Sequence, residues 1–307
     1  MTSTSANLLR ISHTSDAGEV YALLDPIGAG LHALHVNGRD VMPLDTELAR
    51  TRWFSGHTLA PWPNRMRDGE WVFEGATLSA PLNDGLGNAL HGVVGNREFE
   101  IVQRSDDSVR FEISLGDDPV YPFAVRVHVT FTVAADGLTC AFGARNESAS
   151  TVPFAIGTHP YFPFDDDCTL TINADNAFEV DDRLIPSGRL MDLSAWHAQP
   201  GEPIALSTFV ADDCFTSLRR DVDGIAHTLI THGDGAIVDV WQDAGLPHTV
   251  IFTTREFTWS DGGTKAIAIE PQTAPTNAFN SGIDLTWLVP GDDFVVRWGV
   301  AVSTAGR

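Results

Sequence analysis

The stretch VRVHVTFTV, residues 125–133, alternates without a break. Val125, Val127, Val129, Phe131 and Val133 fall on one side of an extended chain, and Arg126, His128, Thr130 and Thr132 fall on the other. That period of two predicts a half-buried strand. SVRFEISL repeats it with Val109, Phe111, Ile113 and Leu115, and LTCAFGA, CTLTINA, AIVDVWQ, TVIFTT, KAIAIE and FVVRWGVAV supply further strands. Stretches with a helical period are short and rare. Turn signals such as Asn37-Gly38, Asp136-Gly137 and Asp223-Gly224 punctuate the series. Many short strands joined by tight turns predict an all-β protein, a large antiparallel β-sandwich, rather than βαβ units.

A chain of 307 residues, 43% hydrophobic, can bury a large core. It carries no charge block, no Ser/Gly or Pro-rich linker and no repeat at a fixed period, so residues 1–307 are expected to form a single domain. The segment MTSTSANLLRISHTSDAGEV lacks a basic stretch followed by an apolar one, and no run of about 18 apolar residues occurs. The expectation is a soluble, cytoplasmic protein. Cys140, Cys168 and Cys214 are odd in number and have no CxxC spacing, which argues against a disulfide framework and a zinc site and for reduced core residues. Nineteen basic against 41 acidic residues give a net charge of −22, which disfavours nucleic acid and anionic membrane surfaces as partners.

Several polar groups stand out from this background. In GTHPYFPF, His159 precedes Pro160 and Phe162 precedes Pro163, so both sit on extended chain rather than on a helix. With Phe154, Tyr161, Phe162 and Phe164 nearby, the His159 ring is expected to lose water, which disfavours the imidazolium unless an anion answers it. In AIAIEPQTAPTNAFNSG, Glu270 follows an apolar run and precedes Pro271. A carboxylate there is an exposed strand-end acid, half of an ion pair, or a group in use. LAPWPNRMRDGEW carries Asn64 and Arg65 on a loop stiffened by Pro61 and Pro63, and NALHGVVGNREFEI carries His91 before Gly92. Alone, Arg65 reads equally as a surface charge and His91 as a core histidine. VADDCFTSL adds Asp212 and Asp213, which turn chemistry before a strand would also explain.

Taken in order, Asn-Arg, Leu-His-Gly, His-x-Tyr-Phe, Asp-x-x-Phe and Glu-x-Gln followed by Pro and Asn, the chain from about residue 20 to 300 resembles the aldose 1-epimerase (galactose mutarotase) family. APWPNRMRDGEW and ALHG are similar to its bacterial branch. The resemblance implies a β-supersandwich acting on a small-molecule sugar, with His159 as general acid and Glu270 as general base. It further implies that Arg65, His91, Asp212 and Asn64 bind substrate, and that no metal or redox cofactor is required. Asp212 is preferred to Asp213 because it lies three residues before Phe215. Two departures touch the choice of sugar. The family's Pro-Asp-Ala-x-Asn run appears as Pro275, Thr276, Asn277, Ala278, Phe279 and Asn280, and the glutamine that some members donate from a preceding strand has no clear counterpart between His248 and Thr254.

Interconverting α and β anomers removes a proton from the C1 hydroxyl and delivers one to the ring oxygen, so one base and one acid suffice. On reference values a glutamate of about 4.3 is ionised at neutral pH and holds a nearby histidine of about 6.5 protonated. Trp62, Tyr161 and Trp241 are rings able to stack on a sugar. Three other readings compete. A hexose 6-phosphate substrate would need a convergent cation cluster, for which Arg65, Arg67 and Arg97 are the only nearby material. A non-catalytic carbohydrate-binding sandwich predicts loss of the acid or base. A glycosidase would pair Asp212 with Glu270 and leave His159 unexplained.

Overall fold

The computed structural model describes residues 8–304, and most of their strands gather into two large antiparallel sheets, beside a four-stranded sheet and three two-stranded ones. Val125–Ala134 and Gly137–Asn146 pair through the Asp136-Gly137 turn, and Asp293–Thr304, Ala236–Gln242 and Ala226–Thr231 follow in space, within a nine-stranded sheet. The alternation decides which way each strand faces. Val125, Val127, Val129, Phe131 and Val133 are all buried, as the period of two predicts. His128 on the opposite side is buried as well, its Nε2 2.9 Å from Asp293 Oδ1, so that face is drier than the pattern alone suggests.

The second sheet has eight strands, among them Asp212–Leu218, His248–Thr254 and Ala266–Gln272 side by side at its centre. Ile251, Ile267, Ile269, Phe162 and Phe215 from this sheet share one continuous core with Phe142, Val238, Val240, Val296 and Trp298 from the larger one. The two sheets therefore form a sandwich around that core. Each strand of the second sheet also has a back, and the residues there alternate with the core residues. This outward face, covered by the short helix Glu47–Trp53 and by loops, carries the polar groups singled out above.

The helix starts at Thr46, whose side-chain oxygen accepts from the Ala49 N–H, and stops at Phe54, which adopts a left-handed conformation with φ of 52°. At seven residues it is too short to show a helical period in the sequence. Beneath it lies a buried charged cluster. Asp45 receives Arg50 Nε at 2.8 Å and sits 2.9 Å from His32 Nδ1, which pins the segment leading to the outward face. Cys140, Cys168 and Cys214 are free and buried.

Candidate active site

Glu270 does not end its strand. The ladder continues through Pro271 to Gln272, and the whole strand Ala266–Gln272 is buried. Gly157 pairs with Gln272 and Tyr161 with Ala268, so the register between them sets His159 across from Glu270. The regular ladder breaks at the His159-Pro160 step, where Pro160 has no N–H to donate and its carbonyl accepts from the Ile269 N–H at 3.3 Å. Facing residues in an antiparallel pair point the same way, and His159 Nε2 lies 3.4 Å from Glu270 Oε1. The sequence places these two residues 111 positions apart (270 − 159); the register closes that gap.

The His159 backbone is clamped on both sides, its N–H donating to His57 O at 3.1 Å and its carbonyl accepting from Gly56 N at 2.9 Å. Its ring lies between two others. Tyr161 stacks on one face, with centroids 4.9 Å apart and planes 19° apart, and the His91 ring meets it edge-on at 5.1 Å. Nδ1 of His159 is buried without a hydrogen-bond partner, as is Oε2 of Glu270. Ring packing, rather than a hydrogen bond at Nδ1, orients the imidazole.

His91 and Asn64 hold each other. Both have positive φ, 66° and 55°, a conformation unusual for residues with a side chain, and the His91 N–H donates to Asn64 O at 2.9 Å. In return the Asn64 N–H donates to His91 Nδ1 at 3.2 Å. A nitrogen that accepts carries no hydrogen, so His91 presents Nε2–H as a donor. Gly92, at φ of 69°, completes the bend; a Cβ there would come within 2.1 Å of Ala60 O.

Asn64 turns its side-chain oxygen to Arg65, accepting from the backbone N–H at 2.8 Å and from Nη1 at 3.3 Å. It lines the cavity while steadying its neighbour. Arg65 also reaches Asp212 Oδ2 through Nη2 at 3.2 Å and sits with Nε 3.4 Å from Asp84 Oδ2. Asp84 escaped the sequence reading because Asn-Asp-Gly there looks like an ordinary turn. Its carboxylate accepts from the N–H groups of Leu86 and Asn88 and from Asn88 Nδ2, which ties the loop before His91. The unusual run after Glu270 contributes too: the Asn277 N–H donates to Arg65 O at 2.7 Å, and Asn277 Oδ1 accepts from the Arg67 N–H at 3.0 Å.

Adjacent strand residues point to opposite faces, which separates the two aspartates. Asp212 lines the cavity, whereas Asp213 turns away and accepts from Trp196 Nε1 at 3.0 Å. The cavity holds about 240 Å³ and is walled by His159, Glu270, Arg65, His91 and Asp212 together with aromatic rings. Those rings are Trp53, Phe54, Tyr161 and Phe252. Trp62 instead packs in the core against Phe279, and Trp241 lies on the larger sheet against the Gly299 backbone; neither lines the cavity. Trp53 and Phe54 arrive from the helix end and Phe252 from TVIFTT, which the period of two marks only as a strand, so no sequence signal singled them out.

Burial works against the expectation that the two central groups ionise oppositely at neutral pH. Loss of water pushes the His159 imidazole down to about 3, with the Arg65 charge lowering it further. Loss of water also holds the Glu270 carboxyl well above its usual range, and the Asp212 charge adds to that. Burial alone thus favours the neutral form of each group, and a proton shared by the pair is held on Glu270 in preference to His159. His91 is likewise held well below its ordinary value, first by burial, then by His159 whenever that ring is charged, and by the Arg65 guanidinium. It is a neutral donor, in agreement with its tautomer.

Of the arginines considered for a phosphate, Arg67 pairs with Asp181 at 2.6 Å and Arg97 approaches Asp118 at 3.6 Å, and neither lines the cavity. Arg65 does, already facing Asp212 and Asp84, and so does Arg52, which is paired with Glu256 at 2.8 Å.

Comparison with known proteins gives a concordant result. The family model described as aldose 1-epimerase matches residues 13–297. The uncharacterized protein YihR of Escherichia coli K12 is 28% identical over 290 residues, covering 90% of this chain and 88% of that protein. The aldose 1-epimerase of the same organism is 26% identical over 216 residues, covering 66% of this chain and 61% of its own. Among solved structures, a GalM/aldose epimerase homologue from C. elegans superimposes with a TM-score of 0.82 at 21% identity, covering 97% of this chain and 99% of that one.

Proposed function

The chain belongs to the aldose 1-epimerase family, and from that premise we propose that it interconverts the α and β anomers of a free aldohexose. The observation that carries this reading is the buried His159–Glu270 pair, 3.4 Å apart on the wall of a cavity of about 240 Å³. That volume lies below the ~300–1,000 Å³ of pockets for drug-sized ligands and suits one sugar ring.

In this reading Glu270 takes the proton of the C1 hydroxyl while His159 protonates the ring oxygen. The C1–O5 bond breaks, and the open aldehyde turns about C1–C2. The same groups working in reverse then close the ring on the other face of the carbonyl. The productive form has the pair's proton on His159, one transfer away from the arrangement that burial favours. A bound sugar supplies the bias, because a C1 hydroxyl donating to Glu270 and a ring oxygen accepting from His159 both favour the charged forms. His91 donates through Nε2, while Arg65 and Asp212 hold hydroxyls. Asn64 acts on substrate chiefly by fixing Arg65 and His91.

A free sugar is favoured over a phosphate ester because both cavity arginines already face carboxylates. Polarimetry and a coupled dehydrogenase assay on a panel of free and phosphorylated aldoses test the reading. Accelerated mutarotation of at least one free hexose is expected. Acceleration confined to 6-phosphates, or none at all, would overturn it.

A further inference from the structure

Four strands lay one row of side chains across the floor of the cavity. Asp212 pairs with Phe252, Phe252 with Ala268, and Ala268 with Tyr161, so all four point to the outward face. The adjacent row holds Glu270, with Val250 and Cys214 beyond it. Ala268 contributes only a methyl group. Phe252 is therefore the large side chain between Asp212 and Tyr161, one residue pair from Glu270.

The ring is braced. Trp53 lies 5.6 Å from it by centroid and Tyr161 meets it edge-on at 6.4 Å. The Arg52 guanidinium covers the Trp53 ring at 4.5 Å. Phe252 remains partly accessible and lines the cavity, while Phe257 and Trp259 pack behind Tyr161. The hydrogen-bonding groups of the cavity stand around this patch and not on it.

We propose that Phe252, braced by Trp53 and Tyr161, is the platform on which one C–H face of the sugar ring rests, and that it selects which aldose is accepted. The inference rests on the anomerase reading of the same cavity. A pyranose ring carries patches of C–H that gain contact against an aromatic face. A hydroxyl directed at Phe252 would lose its water and find no partner. An epimer that turns a hydroxyl toward the platform is therefore bound less well by roughly tenfold or more. Asp212 at one end of the row and the His159–Glu270 pair beside it fix where the ring can slide, which makes the platform selective and not merely sticky.

The test compares the wild type with Phe252→Ala and Phe252→Leu on D-glucose, D-galactose and D-mannose, with thermal melts to confirm folding. Sugar affinity is measured in parallel by calorimetry on Glu270→Gln, alone and combined with each Phe252 substitution. Phe252→Ala is expected to raise KM and Kd for the preferred sugar about tenfold, to change kcat less than about threefold, and to narrow the spread of kcat/KM among the epimers. Phe252→Leu, which keeps apolar bulk, should fall between. Unchanged Kd, KM and spread in both variants would overturn the proposal, as would a loss confined to kcat. A wild type that anomerises none of the sugars defeats the function reading instead, and calorimetry still reports on the platform through Kd.

Discussion

Glu270 is buried where its own charge is unwelcome, and that gives activity and stability opposite signs at one residue. Its folded-state proton affinity is raised above the ordinary 4.5, so the folded form keeps a proton that the unfolded chain releases. Such a group supports the fold below about pH 4.5, and the support is lost as pH rises through the folded value. Glu270→Gln removes the titration. Its expected outcome is a 10²- to 10⁴-fold or larger fall in kcat. The same variant should melt at a higher temperature than the wild type at pH 8, with the gap closing toward pH 4. Polarimetry and paired melts check both, and an active Glu270→Gln protein would remove the base assignment. Across the pair, His159 relies on the stacked Tyr161 ring for its orientation, because Nδ1 has no partner. Tyr161→Phe keeps the stack and should retain kcat within about threefold, whereas Tyr161→Leu should lose roughly tenfold or more through a mispositioned imidazole. Equal activity in the two variants, both folded, would show that the ring does not position His159.

Strands and loops differed in how much of the site they disclosed in advance. The period of two in 125–133 and in AIVDVWQ states directly which side is buried, and the strands Val125–Ala134 and Ala236–Gln242 follow it. Glu270 was visible as a carboxylate following an apolar run, whereas Asp212 reads locally as turn chemistry and stood out only through the Asp-x-x-Phe motif. The rest depends on information that no local pattern holds. The His159–Glu270 contact is a matter of register between distant strands, and the depressed proton affinity of His159 comes from tertiary burial. Asp84 looked like a turn residue and is one, yet the same carboxylate also steadies Arg65. Its side chain is 1% exposed in that ion pair, so removing it should leave several N–H donors of the 84–88 loop without an acceptor. Asp84→Ala is expected to destabilise the protein by about 2–3 kcal/mol, by the usual worth of hydrogen bonds to a charged group. KM should also rise about tenfold as Arg65 loosens. Denaturant melts and saturation kinetics read the two effects, and a stable variant with unchanged KM would assign Asp84 to the turn alone.

We read residues 1–307 as one domain, a proposal supported by a core cluster that includes Ile11 and Val300 together with side chains of both large sheets. Treating the molecule as one cooperative unit makes its buried imidazoles a property of the whole. His57 and His159 are each held down to about 3, mainly by burial, and His91 is held well below its ordinary value of 6.5 for the same first reason. Unfolding lets all three take up protons below about pH 6.5 that the folded form refuses. Their contribution is therefore fully present above pH 6.5 and is lost as pH falls toward their folded values, at up to about 1.4 kcal/mol per pH unit for each group. Glu270 works in the opposite direction and offsets part of the fall above about pH 4.5; below that its support is complete and offsets no more. Against a total stability on the order of 5–15 kcal/mol, such a loss is a large fraction of what holds the fold together. Denaturant titrations at pH 7.5, 5.5 and 4.5 should show a steep loss across the lower interval. His57→Gln, in a residue placed behind the cavity and not on its wall, should remove about one proton's worth of that slope. A profile as steep in His57→Gln as in the wild type would mean that the imidazole at 57 already binds its proton in the folded molecule, and that burial there is not what holds it neutral.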